Sequence, residues 1–174
     1  MTKEECREVI SLGQEMPAKL GTVGKNEHKI NFTLRNNLVS FFSPHDIRSI
    51  WIFEKVMDAM TSINQQFWQF DITEIESMQF TIYNEIGHFY FDHMDMSWTD
   101  VKEQRKLSAS VQLTDPDEYE GSNLEFKCGA EFVAAPREQG SLIVFPSFLL
   151  HRVTALTHGT RHSLVAWSTG PRFK

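Results

Sequence analysis

A chain of 174 residues is the size of one domain and can bury a sizeable core. Hydrophobic residues make up 41% and charged residues 23%, an ordinary globular balance, and a net charge of −6 leaves no basic footprint for nucleic acid. Cys6 and Cys128 stand far apart and read as free thiols in a reducing compartment; the opening MTKEECREV carries no apolar leader and no stretch approaches a membrane span, so the expected location is the cytoplasm.

Thr2 and Glu5 have the spacing of a capping box, which predicts a short helix with Cys6, Val9, Ile10 and Leu12 on its apolar stripe. Residues 15–30, with Pro17, Gly21 and Gly24, read as loop, and the stretch from Lys29 to Phe42 as strand and turn. Ser43-Pro44-His45-Asp46 reads as a helix start, with Ser43 as cap and Pro44 in the first turn. Behind it Ile47, Ile50, Phe53, Val56, Met57, Met60 and Ile63 recur at three- and four-residue spacing, which predicts a long amphipathic helix ending near Phe67.

After Asp71 the period falls to two. Met78, Phe80 and Ile82 alternate with Gln79, Thr81 and Tyr83, and Leu107, Ala109, Val111 and Leu113 alternate with polar residues. Leu142 to Phe145 reads as a short buried strand, and Arg161 to Ser168 alternates again, with turn signals between all these runs. Helices followed by about eight short strands predict a mainly β fold with flanking helices, a barrel or double-sheet jelly roll that manages its strand edges. Residues 1–174 form one expected domain, with 1–70 as support and 71–174 as the β core.

Residues two apart on a strand point to one face. His93-Met94-Asp95 therefore sends an imidazole and a carboxylate to the same side. His151, just beyond the buried strand and the turn Phe145-Pro146-Ser147, is the best candidate for a third ligand. Two histidines and one carboxylate leave open positions on a metal, the donor set of non-haem iron(II) oxygenases. Alone, His-x-Asp reads as a chance pair on a surface strand. Arg161, ten residues past His151 on an apolar strand, adds weight, because an inward arginine needs an anion; a dicarboxylate would supply it, with Ser163 on the same face. Tyr83, ten residues before His93 on the polar face of its strand, is a further donor for that carboxylate. The other histidines (His28, His45, His88, His158 and His162) read as solvated or capping groups, with His162 facing outward.

The stretch QFTIYNEIGHFYFDHMD resembles the first half of the prolyl 4-hydroxylase-like family of Fe(II)/2-oxoglutarate-dependent oxygenases, and FPSFLLHRVTALTHGTRHSLVAWSTGP resembles the second. Between them RKLSASVQLTDPDEYEGSNLEF resembles the linking strand, acidic loop and hairpin, so the likeness runs from about Glu76 to Pro171. The resemblance implies a double-stranded β-helix, cupin-like and braced by the N-terminal helices. It implies Fe(II) on His93, Asp95 and His151, and 2-oxoglutarate held by Tyr83 and Arg161, with Ser163 or Thr154 alongside. It further implies O2 as cosubstrate, ascorbate as an accessory reductant, and a proline-containing peptide or protein substrate lying along Glu76, Arg105 and Trp167 under a lid from Met96 to Glu103. Two departures stand out: many relatives carry tyrosine where Gln112 stands, and the hairpin reads Gly121-Ser122 rather than Gly-Gly. The competing expectations are hydroxylation of another residue or of a free amino acid, a non-catalytic cupin-like metal-binding or sugar-binding module, and a zinc hydrolase, which would leave Arg161 and Tyr83 unexplained.

Overall fold

The computed structural model describes residues 1–24, 29–96 and 103–173. The expected lid falls largely on residues 97–102, and His28 also lies outside the described residues. The capping box is present: Glu5 N–H donates to Thr2 Oγ1 at 3.2 Å and Thr2 N–H to the Glu5 carboxylate at 2.7 Å, opening helix α1 (Lys3–Glu15). Its buried stripe is Cys6, Val9 and Gly13. Short strands β1 (Lys19–Leu20) and β2 (Arg35–Asn36) precede β3 (Leu38–Phe42).

Helix α2 runs Ile50–Phe67, six residues later than the Ser43-Pro44 signal predicts. Ser43 and Asp46 spend their side chains on local turns instead: Ser43 Oγ accepts from His45 N–H and Asp46 Oδ1 from Arg48 N–H. Such side-chain bonds compete with helix formation. Ile47 is accordingly 81% exposed, and the buried stripe runs through Ile52, Phe53, Val56 and Met60.

The β core adds β4 (Glu74–Ile75), β5 (Met78–Tyr83), β6 (Phe89–His93), β7 (Glu103–Gln112), β8 (Tyr119–Gly121), β9 (Leu124–Cys128), β10 (Glu131–Ala134), β11 (Leu142–Pro146), β12 (His151–Val153), β13 (Leu156–Gly159) and β14 (Arg161–Pro171). A seven-stranded sheet has the order β1-β3-β5-β14-β7-β11, with β4 also on β14. A five-stranded sheet has the order β10-β9-β12-β6-β2, and β13 pairs with β8. All the paired strands are antiparallel. This is the expected double-stranded β-helix braced by helices.

The larger sheet is buried on both faces, as the unbroken burial of β5 shows. One face carries Met78, Phe80, Ile82, Leu107, Ala109, Val111, Leu164 and Ala166 against Cys6 and Val9 of α1 and Ile52, Phe53, Val56 and Met60 of α2. Burying each large apolar side chain there contributes about 1.5–3 kcal/mol. Helix α1 comes close enough that a Cβ on Gly13 would lie 2.6 Å from the Phe80 ring. The other face carries Gln79, Thr81 and Tyr83 of β5 and Arg161, Ser163, Val165 and Trp167 of β14 toward a cavity shared with the smaller sheet. His162 therefore does not face solvent. Its position on β14 turns it to the helix side, where it is 8% exposed and stacked on Phe80 with ring centroids 5.4 Å apart.

Candidate metal centre

His93 ends β6 and His151 opens β12, and antiparallel pairing sets the two directly opposite. Asp95 lies in a bend just past β6 rather than on the strand: its N–H and that of Met96 donate to the Ser147 carbonyl at 2.9 and 3.0 Å, which draws the chain out of the sheet. Even so, the His-x-Asp pair converges, with Met94 43% exposed between them. One ligand atom from each of His93, Asp95 and His151 falls within 4.8 Å of the others. His93 Nε2 is 3.7 Å from Asp95 Oδ1, and His151 Nε2 is 3.5 Å from Asp95 Oδ2.

Each imidazole is oriented by the carbonyl two residues before it. His93 Nδ1 lies 2.7 Å from the Phe91 carbonyl and His151 Nδ1 2.9 Å from that of Leu149. A proton on Nδ1 satisfies these bonds and leaves the Nε2 lone pairs aimed at the centre, the outer-shell pattern that tunes metal-bound histidine. Burial, and then the neighbouring His151, push His93 down to about 3 against the pull of Asp95, so this imidazole is neutral at neutral pH. Burial opposes ionisation of Asp95, but His151, His93, Arg105 and the hydroxyl of Ser108 together hold it below the ordinary carboxylate range. Ser108 Oγ donates to Asp95 Oδ2 at 2.7 Å and lies 3.0 Å from Ser147 Oγ. Two imidazole nitrogens and one carboxylate oxygen on one side of a gap fit a divalent metal such as Fe(II).

The cavity holds about 760 Å³, within the range of small-molecule sites. Arg161 stands in its wall, 1% exposed, opposite Tyr83 in the strand register, with its guanidinium carbon 5.5 Å from the Tyr83 ring. Gln112 Oε1 accepts from Arg161 Nε at 3.2 Å and Nη2 at 2.8 Å, while buried Nη1 has no hydrogen-bond partner among the described residues. A neutral carboxamide fixes the guanidinium without cancelling its charge. A carboxylate fits that orphaned donor, because a buried unpaired cation is costly. Ser163 lines the cavity beside it. Thr154 does not: its hydroxyl accepts from Asn123 N–H at 2.9 Å.

Glu76, Arg105 and Trp167 stand together at the cavity wall. Arg105 makes a two-point ion pair with Glu76, at 2.8 and 2.6 Å, and its guanidinium carbon lies 4.0 Å from the centroid of Trp167. Three further residues bear on the site without a sequence signal of their own, Ser108, Tyr90 and Arg35, and Gln112, noted in the sequence only as a departure from relatives, is the partner of Arg161. Strict alternation sets Tyr90 and His93 on opposite faces. A register shift between β6 and β12 puts both rings on one side, stacked at 3.5 Å. His88, read as solvated, is 3% exposed, its Nδ1 accepting from Asn84 N–H at 3.3 Å.

No family model matches the chain. Over 95 residues, 53% of this chain and 42% of the relative, it is 36% identical to a PKHD-type hydroxylase of Rippkaea orientalis. Over 85 residues it is 34% identical to one of Teredinibacter turnerae, covering 47% and 38%. These matches span about two fifths of the relatives' length. Among solved structures, a Pseudomonas putida prolyl-4-hydroxylase superposes with TM-score 0.70 at 21% identity, covering 98% of this chain and 84% of that one. A Trichoplax adhaerens prolyl hydroxylase, in complex with a hypoxia inducible factor peptide, gives 0.75 at 16%, covering 94% and 78%. A viral collagen prolyl hydroxylase from Paramecium Bursaria Chlorella virus-1, in its 2-oxoglutarate complex, gives 0.72 at 19%, covering 98% and 92%. The chain thus has the fold of the prolyl hydroxylases within the 2-oxoglutarate Fe(II) oxygenases, and its sequence resembles that of PKHD-type hydroxylases over about half its length.

Proposed function

We propose that this chain is a single-domain Fe(II)- and 2-oxoglutarate-dependent dioxygenase that hydroxylates prolyl residues in a peptide or protein. The observation that carries the reading is the union, in one cavity, of the His93, Asp95, His151 cluster with the unsatisfied guanidinium nitrogen of Arg161. The metal has its donors, and an anionic cosubstrate has its counter-charge. With Fe(II) bound, 2-oxoglutarate and O2 would supply the oxidising power, 2-oxoglutarate being decarboxylated to succinate as the substrate gains hydroxyl.

The protein's part is placement. Gln112 points Arg161 at the distal carboxylate of the cosubstrate, with Tyr83 and Ser163 as neighbouring hydroxyls. The Phe91 and Leu149 carbonyls keep the Nε2 lone pairs of His93 and His151 free, and Ser108 holds the Asp95 carboxylate. The Trp167 ring, braced by Arg105 and Glu76, offers a flat apolar wall for a pyrrolidine ring. The peptide and proline elements rest on the resemblance to hydroxylases of that kind. Ascorbate would serve as an accessory reductant. The exposed free thiol of Cys128 suits the reducing cytoplasm.

The test is conversion of 2-oxoglutarate to succinate by the Fe(II)-loaded protein, with and without a proline-rich peptide. Turnover stimulated by the peptide, and lost in both His93→Ala and Arg161→Ala, is expected. A wild-type protein that binds Fe(II) but no 2-oxoglutarate would sink the proposal in favour of a metal-binding module.

A further inference from the structure

Among the described residues, three arginines line the cavity. The fork of Arg105 is taken up by Glu76, and Arg161 faces the proposed cosubstrate. Arg35 has no such assignment. It stands on β2, directly opposite Tyr90 of β6, and is 7% exposed. Its Nε donates to Asn37 Oδ1 at 2.8 Å and its Nη1 to the Thr22 carbonyl at 3.0 Å. Its guanidinium carbon lies 4.5 Å from the Tyr90 centroid, and that ring is stacked on His93. The backbone at Gly21 closes in as well: a Cβ there would lie 2.8 Å from Arg35 Cζ and would collide with Nε.

The guanidinium is thus clamped on the wall, and only Nη2 is left over. Nη2 is buried, and among the described residues it has no hydrogen-bond partner and no carboxylate forms an ion pair with Arg35. A fixed, buried cation with a spare donor is costly unless an anion arrives to meet it. Glycine at 21 and the carboxamide of Asn37 make the clamp, so the orientation is built in rather than left to a flexible side chain.

We propose that Arg35 anchors a carboxylate of the substrate, beside the residue that is hydroxylated. One free nitrogen suits a carboxylate, which is satisfied by few donors, better than a phosphate group with three strong acceptor oxygens. The stack Arg35–Tyr90–His93 places the anchor about two residues of extended chain from the metal ligands, at roughly 3.3–3.6 Å per residue. The carboxylate comes either from an acidic side chain close to the target or from a free chain terminus, which includes the α-carboxylate of a very short substrate. This inference deepens the oxygenase reading and rests on it for the identity of the reacting residue.

The experiment measures binding and turnover separately, on the whole chain. Four fluorescent proline-containing peptides are used: a glutamate near the proline with an amidated terminus, its glutamine counterpart, and a neutral peptide with a free or an amidated terminus. Affinities are read by anisotropy with manganese(II) and 2-oxoglutarate present, and turnover by succinate formation with Fe(II). Wild type should favour one carboxylate-bearing peptide over its neutral twin by tenfold or more, and the favoured pair identifies the source. Arg35→Gln should abolish that ratio, and Arg35→Lys should retain part of it. Arg35→Gln should also keep the wild-type affinity for the neutral twin, which separates the loss of the anchor from a general loss of folding that weakens every peptide. Equal affinities for all four peptides in wild type would overturn the proposal, as would a preference that survives in Arg35→Gln. A weaker affinity of Arg35→Gln for 2-oxoglutarate with an unchanged peptide ratio would also overturn it, assigning Arg35 to the cosubstrate. Charge-selective binding without succinate formation by any peptide would instead count against the proposed activity and leave the anchor standing.

Discussion

Ser108 shows how much of the site rests on residues that bear no metal-binding signature. It lies on the cavity side of β7, and its hydroxyl holds Asp95 Oδ2. Such outer-shell groups are typically worth 10–100-fold in metal affinity. Ser108→Ala should therefore weaken Fe(II) or manganese(II) binding by about that factor, measured by metal titration, while a change under twofold would show that the Ser147 carbonyl positions Asp95 alone. Gln112 plays the matching part for Arg161. Removing its carboxamide leaves two further buried guanidinium nitrogens, Nε and Nη2, unpaired beside Nη1, and hydrogen bonds to charged groups are worth about 1.5–3 kcal/mol. Gln112→Leu should raise the Kd for 2-oxoglutarate tenfold or more by calorimetry, each tenfold being about 1.4 kcal/mol. An unchanged Kd would mean that strand register alone aims Arg161.

His162 carries a pH consequence. Burial first, and then the adjacent Arg161, push its imidazole down to about 4. The native protein keeps it neutral where the unfolded chain, with an ordinary value near 6.5, takes up a proton. Unfolding then binds protons, so stability falls as pH drops from about 6.5, and the loss is complete below about 4. The loss attributable to His162 is of the order of 3 kcal/mol at most. Urea midpoints between pH 7 and pH 4 should fall less steeply in His162→Gln than in wild type; parallel profiles would refute the assignment.

At the scale of elements, the decisive contact is between α1 and the larger sheet. Gly13 sits inside a helix, where alanine would be favoured by about 1 kcal/mol. Its neighbour is the Phe80 ring, 2.6 Å from where a Cβ would stand. Phe80 is itself fully buried among Phe42, His162 and the helices, so the ring has nowhere to retreat. Overpacking of this kind costs about 1–3 kcal/mol and outweighs the propensity gain. Gly13→Ala should lower Tm, and a raised Tm would show that the helix shifts at little cost. The same logic explains the late start of α2. The apolar spacing from Ile50 onward was readable, but Ser43-Pro44-His45-Asp46 is equally good turn chemistry, and local side-chain bonds took it.

For the whole molecule, the two sheets matter because they bring residues distant in sequence to one cavity. His93 and Asp95 come from β6 and its exit, His151 from β12, and Arg161 from β14 of the opposing sheet. A ligand that joins these elements stabilises the native state alone, by about 2.7 kcal/mol at a hundredfold excess over its Kd. Manganese(II) with 2-oxoglutarate should raise Tm in wild type and fail to do so in His93→Ala. An equal rise in both would place the ions elsewhere.

The sequence by itself determined the β core, the capped first helix and the metal-binding pattern. The first two depend on short-range rules, period two on a strand and a cap three residues from its partner; His-x-Asp marked the right pair, but Asp95 lies in a bend past β6, so its convergence with His93 is not an effect of strand period. It also marked Arg161 and Tyr83, because an arginine on an apolar strand is conspicuous in any fold. Only the tertiary structure decided what those residues touch. His162 turns inward because helices cover the far face of β14. Tyr90 joins His93 because a register shift breaks the alternation. Arg35 reaches the cavity because β2 pairs with β6 at the edge of the smaller sheet. Partners fixed by pairing between distant strands leave no periodic trace along the chain, since each strand alone presents only its own two faces and not the one that will lie against it.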